Sequence, residues 1–471
     1  MRRLWLPLLL WVAELVGLVG TPAARAEPDP RRSYRPLRDD ENWAWLRAAP
    51  AGEADFWDPV KYLALTKRRP DLYLTLGAEI RLWAELFESE QWGGTGHPRD
   101  GSLLQRYMVH ADLHLTRYAR LFVQLKSGIS SFRLDGPRPP DQDLLDFNQA
   151  YVDVNLLPAA TLDQEAPLTL RGGRQEMSFG SGRFIDVREG PNVRFSFDGL
   201  RLIARPGPVR IDAFVVRPGQ TRPGVFDDAW DPTQWLWGLY STLKLPSLTA
   251  DAYYLGRQRD QARYEHAAGA ELRHTIGTRL RGKLHAFELE IEAAYQFGAI
   301  GERAISAFTV AGEAVFHADG AFLKPRVVLG GGVTSGDSGG GGSLGTFSAL
   351  FPKGAYFGLF SPNGPANNFA PHGALQLSLP ASVTLLTEVW GFFRYSLADG
   401  VYSVPGALLR AGSGNPERYL GTQLETWVTW PASRHLSVSG TFGHYFTGGF
   451  FAASTPGDDI TYAAVWLTYK L

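Results

Sequence analysis

The sequence predicts an all-β fold, a transmembrane antiparallel β-barrel of about 18 strands. Three observations predict it. Apolar and polar residues alternate with period two in segment after segment, from Leu72 to the final Leu471. The connections between these segments sort by parity, one set tight and the other mostly long. The 471 residues include 52 Gly, 14 Trp, 18 Tyr and 27 Phe, a composition suited to many strands and turns.

The chain opens with Arg2 and Arg3, an apolar run from Leu4 to Val19 interrupted by Glu14, and Ala24-Arg25-Ala26 before Glu27. A basic start, a short apolar run and small residues at a cleavage point make residues 1–26 a predicted signal peptide. The run is short for a membrane helix, and no later stretch is longer. There is no cysteine, so neither a disulfide nor a lipidated cysteine is available. Lys and Arg (47) balance Asp and Glu (48), which argues against a nucleic-acid partner. Residues 27–70 are rich in Pro and Arg, then aromatic, without a clean period. They are predicted to be a periplasmic lead-in that packs into or below a barrel spanning 71–471.

Within Leu72–Phe87 the even positions are apolar (Leu72, Leu74, Leu76, Ala78, Ile80, Leu82, Leu86) and the odd ones mostly polar. This alternation runs for about 15 residues, longer than the five or six of a soluble strand and enough to cross a membrane. Tyr107–Leu115, Leu121–Lys126 and Gln149–Leu156 repeat it. So do Trp235–Leu245, Leu248–Gly256, Tyr264–His274, Leu284–Phe297, Phe308–Phe316, Val383–Tyr395, Leu420–Trp430, Leu436–Phe446 and Ala463–Leu471. An even strand count lets both chain ends lie on one side. The tight connections include Arg117–Arg120, Arg205–Pro208, Pro246-Ser247, Asp319-Gly320, Pro380-Ala381 and Pro431–Arg434. The long ones include Ser89–Ser102, Arg133–Leu145, Phe179–Asn192, Pro218–Thr233, Thr334–Pro371, Asp399–Glu417 and Gly448–Asp459. Trp83, Trp235, Trp427 and Tyr469 are expected to face outer-membrane lipids as interfacial aromatics. Gly330–Gly345, GGGVTSGDSGGGGSLG, is expected to be the flexible root of the longest outer loop.

A barrel this wide encloses a channel unless it is filled, so function falls to the lumen lining. The alternation places Arg81, Arg106, Lys126, Arg210, Arg257, Arg273 and Arg394 on polar faces, with Glu79, Glu176, Asp153, Asp198 and Glu388 as inward counter-charges. The densest stretch is Arg171–Arg201, RGGRQEMSFGSGRFIDVREGPNVRFSFDGLR. It holds Arg171, Arg174, Arg183, Arg188, Arg194 and Arg201, interleaved with Glu176, Asp186, Glu189 and Asp198. It joins the fifth and sixth strands on the long-loop side. Its glycines allow it to fold inward as a constriction. Guanidinium groups bind carboxylates bidentately, and rings of them select anions. The plainer alternatives are a solvated loop that pairs with itself and lumenal ion pairs that fill a plugged barrel.

Four segments carry a resemblance. They are Tyr73–Arg81 (YLTLGAEIR), Leu104–Gly128 (LQRYMVHADLHLTRYARLFVQLKSG), Phe147–Val154 (FNQAYVDV) and Gly173–Gly199 (GRQEMSFGSGRFIDVREGPNVRFSFDG). They resemble the alginate export family of bacterial outer-membrane barrels. The resemblance implies an 18-stranded monomeric barrel with an electropositive lumen that passes an anionic exopolysaccharide. It implies that Arg174, Arg183, Arg188, Arg194, Arg201 and Asp198 are pore residues and that periplasmic export proteins are partners. One departure is that every inferred periplasmic turn is short, so no long gating turn is expected.

His110, Asp112 and His114 share one strand face, which could ligate a metal; lumenal filler is the simpler reading. The Asp-rich loops (Asp141–Asp146, Asp227-Asp228, Asp458-Asp459) lack EF-hand spacing. No cofactor and no catalytic residue is expected. The competing functions are a porin for small anionic solutes, a barrel enzyme acting on lipid or polysaccharide, and a closed structural or adhesive barrel working through the 334–371 loop. Conductance separates a channel from a closed barrel, and hydrolytic activity lost on Ser→Ala or His→Ala changes would reveal an enzyme.

Overall fold

The computed structural model describes residues 30–49 and 55–471; the predicted signal peptide lies outside them. Eighteen long strands form the wall: β1 (Tyr73–Glu88), β2 (Arg99–Thr116), β3 (Ala119–Ser131), β4 (Asp143–Leu157), β5 (Leu168–Gln175), β6 (Phe197–Ala204), β7 (Val209–Gln220), β8 (Gln234–Lys244), β9 (Leu248–Arg263), β10 (Ala268–Leu284), β11 (Phe287–Ile300), β12 (Arg303–His317), β13 (Arg326–Thr334), β14 (Asn368–Ser378), β15 (Thr384–Arg394), β16 (Tyr419–Trp430), β17 (Leu436–Thr447) and β18 (Ile460–Lys470). Each pairs antiparallel with its chain neighbour. β18 then pairs with β1, from Glu79 opposite Lys470 to Glu88 opposite Thr461, and the barrel closes. Closure leaves no edge strand with unpaired backbone groups, which a wall in lipid cannot tolerate.

The period-two pattern sets the inside and the outside. In β1 the buried positions are Tyr73, Thr75, Gly77, Glu79, Arg81, Trp83, Glu85 and Phe87. Leu82 and Leu86 stand exposed outside, as do Val109, Leu121, Val152, Leu200, Ile276, Ile291 and Val389 on other strands. Charges in and aliphatics out is the inverse of a soluble core, and it presents an apolar band to outer-membrane lipids. No helix among the described residues is long and apolar enough to cross a membrane.

The start of β1, the end of β18 and most of the tight turns lie at one end of the barrel, which by outer-membrane convention is periplasmic. Four details depart from expectation. The β4–β5 connection, residues 158–167, is longer than a hairpin turn, and residues 318–325 also exceed the predicted Asp319-Gly320 turn. Two outer connections, 264–267 and 301–302, are short. Trp83 and Trp427 do not face lipid: each falls on the inward parity of its strand. Trp83 stacks on Trp466 at 4.3 Å, and Trp427 meets Trp466 edge-on at 6.4 Å. Gly330–Thr334 is strand, and the loop beyond it packs inward through the buried Leu344 and Phe347. A low-complexity run therefore precedes an ordered plug.

Residues 30–49 and 55–70 lie at the periplasmic mouth. Arg38 donates to the carbonyls of Ala78 (3.1 Å) and Leu471 (2.8 Å). The Lys61 carbonyl accepts from Thr75 Oγ1 at 2.7 Å, and Trp57 Nε1 donates to the Tyr469 hydroxyl at 2.8 Å.

Candidate pore and its arginine lining

Two long loops cross the lumen. The first, residues 176–196, joins β5 to β6. Asn192 Nδ2 donates to the Gln105 carbonyl at 3.0 Å on one side of the barrel. Ser181 Oγ donates to Glu292 Oε2 at 2.5 Å on β11 across it. Gly180 sits at φ +57°, and a Cβ there would fall 2.4 Å from the Tyr240 hydroxyl, so glycine is what lets the loop touch the wall. The second, residues 335–367, joins β13 to β14. Ser348 N donates to Gln296 Oε1 at 2.9 Å, and Leu359 N donates to Glu425 Oε2 at 3.1 Å. The loops meet as a parallel bridge between Ile185 and Phe351.

All of the predicted site residues but Arg174 and Asp198 fall into four groups. Arg81, Arg106, Glu176, Glu189 and Arg194 come together where the first loop meets β1 and β2. Arg81 and Arg106 face each other in register. Arg106 pairs with Glu79 at 2.6 Å and with Glu189. Arg81 donates to the Glu189 and Pro191 carbonyls at 2.7 and 2.9 Å. Arg194 pairs with Glu176 at 2.9 Å and Glu189 at 3.4 Å. Burial alone would raise the Glu189 carboxyl, but Arg106 and Arg194 outweigh it and hold it below the usual range.

Arg171 and Arg201 form the second group, a lateral row at one height nearer the periplasmic mouth. Arg120 faces Asp153, Asp153 faces Arg171, and Arg171 faces Arg201. Arg171 pairs with Asp153 at 2.7 Å and Arg201 with Asp212 at 2.7 Å. This row opens on a cavity of about 660 Å³ bounded below by segment 30–49.

The third group lies on the loop itself. Arg183 is 3.6 Å from Glu292. Arg188, at φ +57°, lies over the Phe195 ring at 4.8 Å with no acid among the described residues within ion-pair distance. Burial lowers its affinity for its proton, with only Asp186 opposing. It is the predicted arginine least committed to a protein carboxylate. Lys126, fourth, is held between Asp143 (2.9 Å) and Asp228 (2.7 Å) near the outer rim.

Arg174 and Asp198 are corrections. In β5 the buried lumenal positions are Thr169, Arg171 and Gln175, and in β6 they are Phe197, Arg201 and Ile203. Arg174 and Asp198 carry the opposite parity, shared with the exposed Leu170 and Leu200, and pair with each other at 3.0 Å. Their place in an arginine-rich motif suggested the pore; the pleat turns them out of it.

His110, Asp112 and His114 do not converge on one point. His110 stacks on Phe122 at 5.4 Å, His114 stacks on Tyr73 at 4.2 Å, and Arg120 takes Asp112 at 2.6 Å. Several lining groups went unpredicted: Arg120, Asp212, Glu292, Lys353 and the acidic run Asp39-Asp40-Glu41. The last had a visible signal, three acids in a row inside a basic lead-in.

A closed 18-strand barrel, apolar outside and lined with ion pairs inside, defines a bacterial outer-membrane channel. The family model described as Alginate export matches residues 72–464, and the chain belongs to the alginate export family. No curated protein sequence matches it significantly. Among solved structures it is similar to three porins of Pseudomonas aeruginosa. OpdO has 12% identity and a TM-score of 0.55, over 84% of this chain and 97% of that one. OccK2 (OpdF) in complex with glucuronate has 12% identity and a TM-score of 0.54, over 84% and 98%. OccK11 (OpdR) has 13% identity and a TM-score of 0.53, over 84% and 96%. At these identities the likeness is one of fold.

Proposed function

We propose that this channel exports an anionic exopolysaccharide, a uronate-rich polymer of the alginate type, through its arginine-lined lumen. The observation that carries the reading is that lumenal guanidinium groups stand in succession, all but Arg188 already holding a carboxylate of the protein. Arg120, Arg171 and Arg201 line the periplasmic cavity; Arg194, Arg106 and Arg81 follow at the loop; Arg188 and Arg183 lie on the loop itself. A carboxylate that replaces a protein carboxylate on such an arginine leaves the number of charge-assisted bonds unchanged. Transfer along the row then proceeds in small steps, with no deep well to trap the anion. Neutral sugars gain nothing from the exchange. The single chain encloses its own lumen, which supports a monomer; periplasmic export proteins would deliver the polymer.

A second reading, a porin for small anionic solutes, is favoured by the filled lumen. About 660 Å³ at the periplasmic end accommodates a short saccharide with both loops in place. Glucuronate, named with the OccK2 structure, belongs to the ligand class common to both readings.

The test is single-channel recording in planar bilayers. Polyuronate added on the periplasmic side is expected to block an anion-selective current, and Arg171→Glu is expected to abolish the block. A current carried and shifted by glucuronate but indifferent to polyuronate would replace export with the porin reading. Secretion of the polymer at an unchanged level from cells lacking the gene would sink export altogether.

A further inference from the structure

Segment 30–49 presents an acidic run, Asp39-Asp40-Glu41, to the lateral row of wall cations. Asp39 is buried. Its Oδ2 accepts from Arg171 Nη1 at 2.5 Å and from the Tyr151 hydroxyl at 3.1 Å. Its Oδ1 has no hydrogen-bond partner, and its backbone carbonyl accepts from Arg120 Nη2 at 2.9 Å. Asp40 lines the cavity and makes no ion pair within 4 Å among the described residues; the cations that act on its carboxyl are Arg210, Arg201 and Arg171.

The wall charges do not balance without the segment. Arg120, Arg171, Arg201 and Arg210 are met by Asp112, Asp153 and Asp212. The fourth negative charge comes from Asp39. The segment also continues upward: the Pro36 carbonyl accepts from Arg194 Nη2 at 2.9 Å. It therefore spans the cavity from the mouth to the constriction loop, along the path any solute must take.

We infer that the Arg120–Arg171–Arg201–Arg210 row is a carboxylate-binding site at the periplasmic entrance, and that Asp39, with Asp40 beside it in the cavity, occupies it in place of the carboxylates of an entering uronate chain. The choice of ligand class rests on the export reading; the occupancy does not. Uronate carboxylates displace the segment by exchanging one Arg–carboxylate bond for another, so the entering polymer opens its own entrance. Asp153 and Asp212 stay on the wall and hold the arginines in place while the segment is away.

The absence of cysteine makes a single introduced thiol a clean reporter. Ala44, fully buried in the docked segment, is changed as Ala44→Cys in the full mature chain. Its rate of modification by a water-soluble methanethiosulfonate is then read. Asp39→Asn/Asp40→Asn is expected to raise that rate about tenfold, the effect of losing charge-assisted bonds worth about a decade in an equilibrium constant. An oligouronate is expected to raise the rate similarly, and a neutral oligosaccharide of equal length to leave it unchanged. The potassium chloride conductance of Asp39→Asn/Asp40→Asn, without any cysteine, is expected to exceed that of the parent. An unchanged rate and an unchanged conductance in that variant would overturn the occupancy. A faster rate in the variant with no response to oligouronate would uphold the occupant and overturn the uronate as its competitor, and with it the export reading.

Discussion

The two halves of the lumen are filled by different physics. The periplasmic half is held by charge. Segment 30–49 and the 176–196 loop are wired to the wall through Asp39–Arg171, Glu189–Arg106 and Glu189–Arg81. The outer half keeps ion pairs too, Lys126–Asp143 and Arg273–Glu271 among them, and adds aromatic packing between loops and wall. Trp92 stacks on Phe451 at 3.7 Å, Phe357 meets Trp390 at 5.2 Å, and Phe360 stacks on Tyr462 at 5.4 Å. Ion pairs specify a position and can be exchanged for other ion pairs. Aromatic packing excludes water and has no substitute in an aqueous solute. The difference teaches that the periplasmic half is built to be displaced by an anion, and the outer half to stay in place until the loops themselves move.

Four predictions break or sharpen this contrast. The largest effect is expected from Arg194→Ala. It strands Glu176 in the lumen while Glu189 keeps Arg106, and breaking a buried pair costs about 3–5 kcal/mol. The 176–196 loop should loosen, and trypsin should cut after Arg183 and Arg188 in the folded barrel. Phe351→Ala opens a void where the two loops meet, at a cost of about 3 kcal/mol. It should raise conductance from the outer side with less proteolysis after Arg183. If Phe351→Ala frees the first loop more than Arg194→Ala does, the division into ionic and aromatic halves is wrong.

The third prediction is a pH dependence. Burial, then Arg38, lowers the Lys61 ammonium to about 7 from an ordinary 10.5, and its Nζ has no hydrogen-bond partner. The docked segment thus holds fewer protons on this group than the undocked one between those two values. Docking should strengthen as pH rises from about 7 toward 10.5, by up to about 1.4 kcal/mol per pH unit. Below about pH 7, Lys61 is charged in both states and contributes no slope. Current should fall between pH 7 and 9, and Lys61→Met should flatten that profile. The smallest effect on stability is expected from Arg188→Ala, within about 0.5 kcal/mol because no ion pair is lost. Its effect should appear instead as a reduced anion-over-cation permeability ratio, measured as a reversal potential in a salt gradient.

The wall was legible because each strand obeys a local rule. Leu82 against Arg81, or Val152 against Asp153, reports inside and outside without knowledge of any neighbour. The inward fold of the 176–196 loop was legible because glycine at that density frees the chain to turn back. Arg174 and Asp198 were misplaced because the motif was read as one unit, whereas parity turns them outward. The inward packing of Phe347, Phe351 and Phe357 was hidden. Loop residues have no period, and the glycine run before them reads as flexibility although part of it is strand β13. Asp39 was hidden for another reason. Its partner Arg171 lies 132 residues away, and only the closed barrel brings the two together.

The Arg38 guanidinium has a consequence for biogenesis. It bonds the Ala78 carbonyl on β1 and the Leu471 carbonyl just past β18, and Ala78 and Leu471 exchange backbone bonds across the same join. Before the first and last strands zip together, that pair of acceptors does not exist as a unit. The lead-in therefore gains this anchor only in a barrel whose seam is finished. Folding order is in this way written into one side chain, and a protected segment 30–49 would serve as a biochemical stamp that assembly is complete.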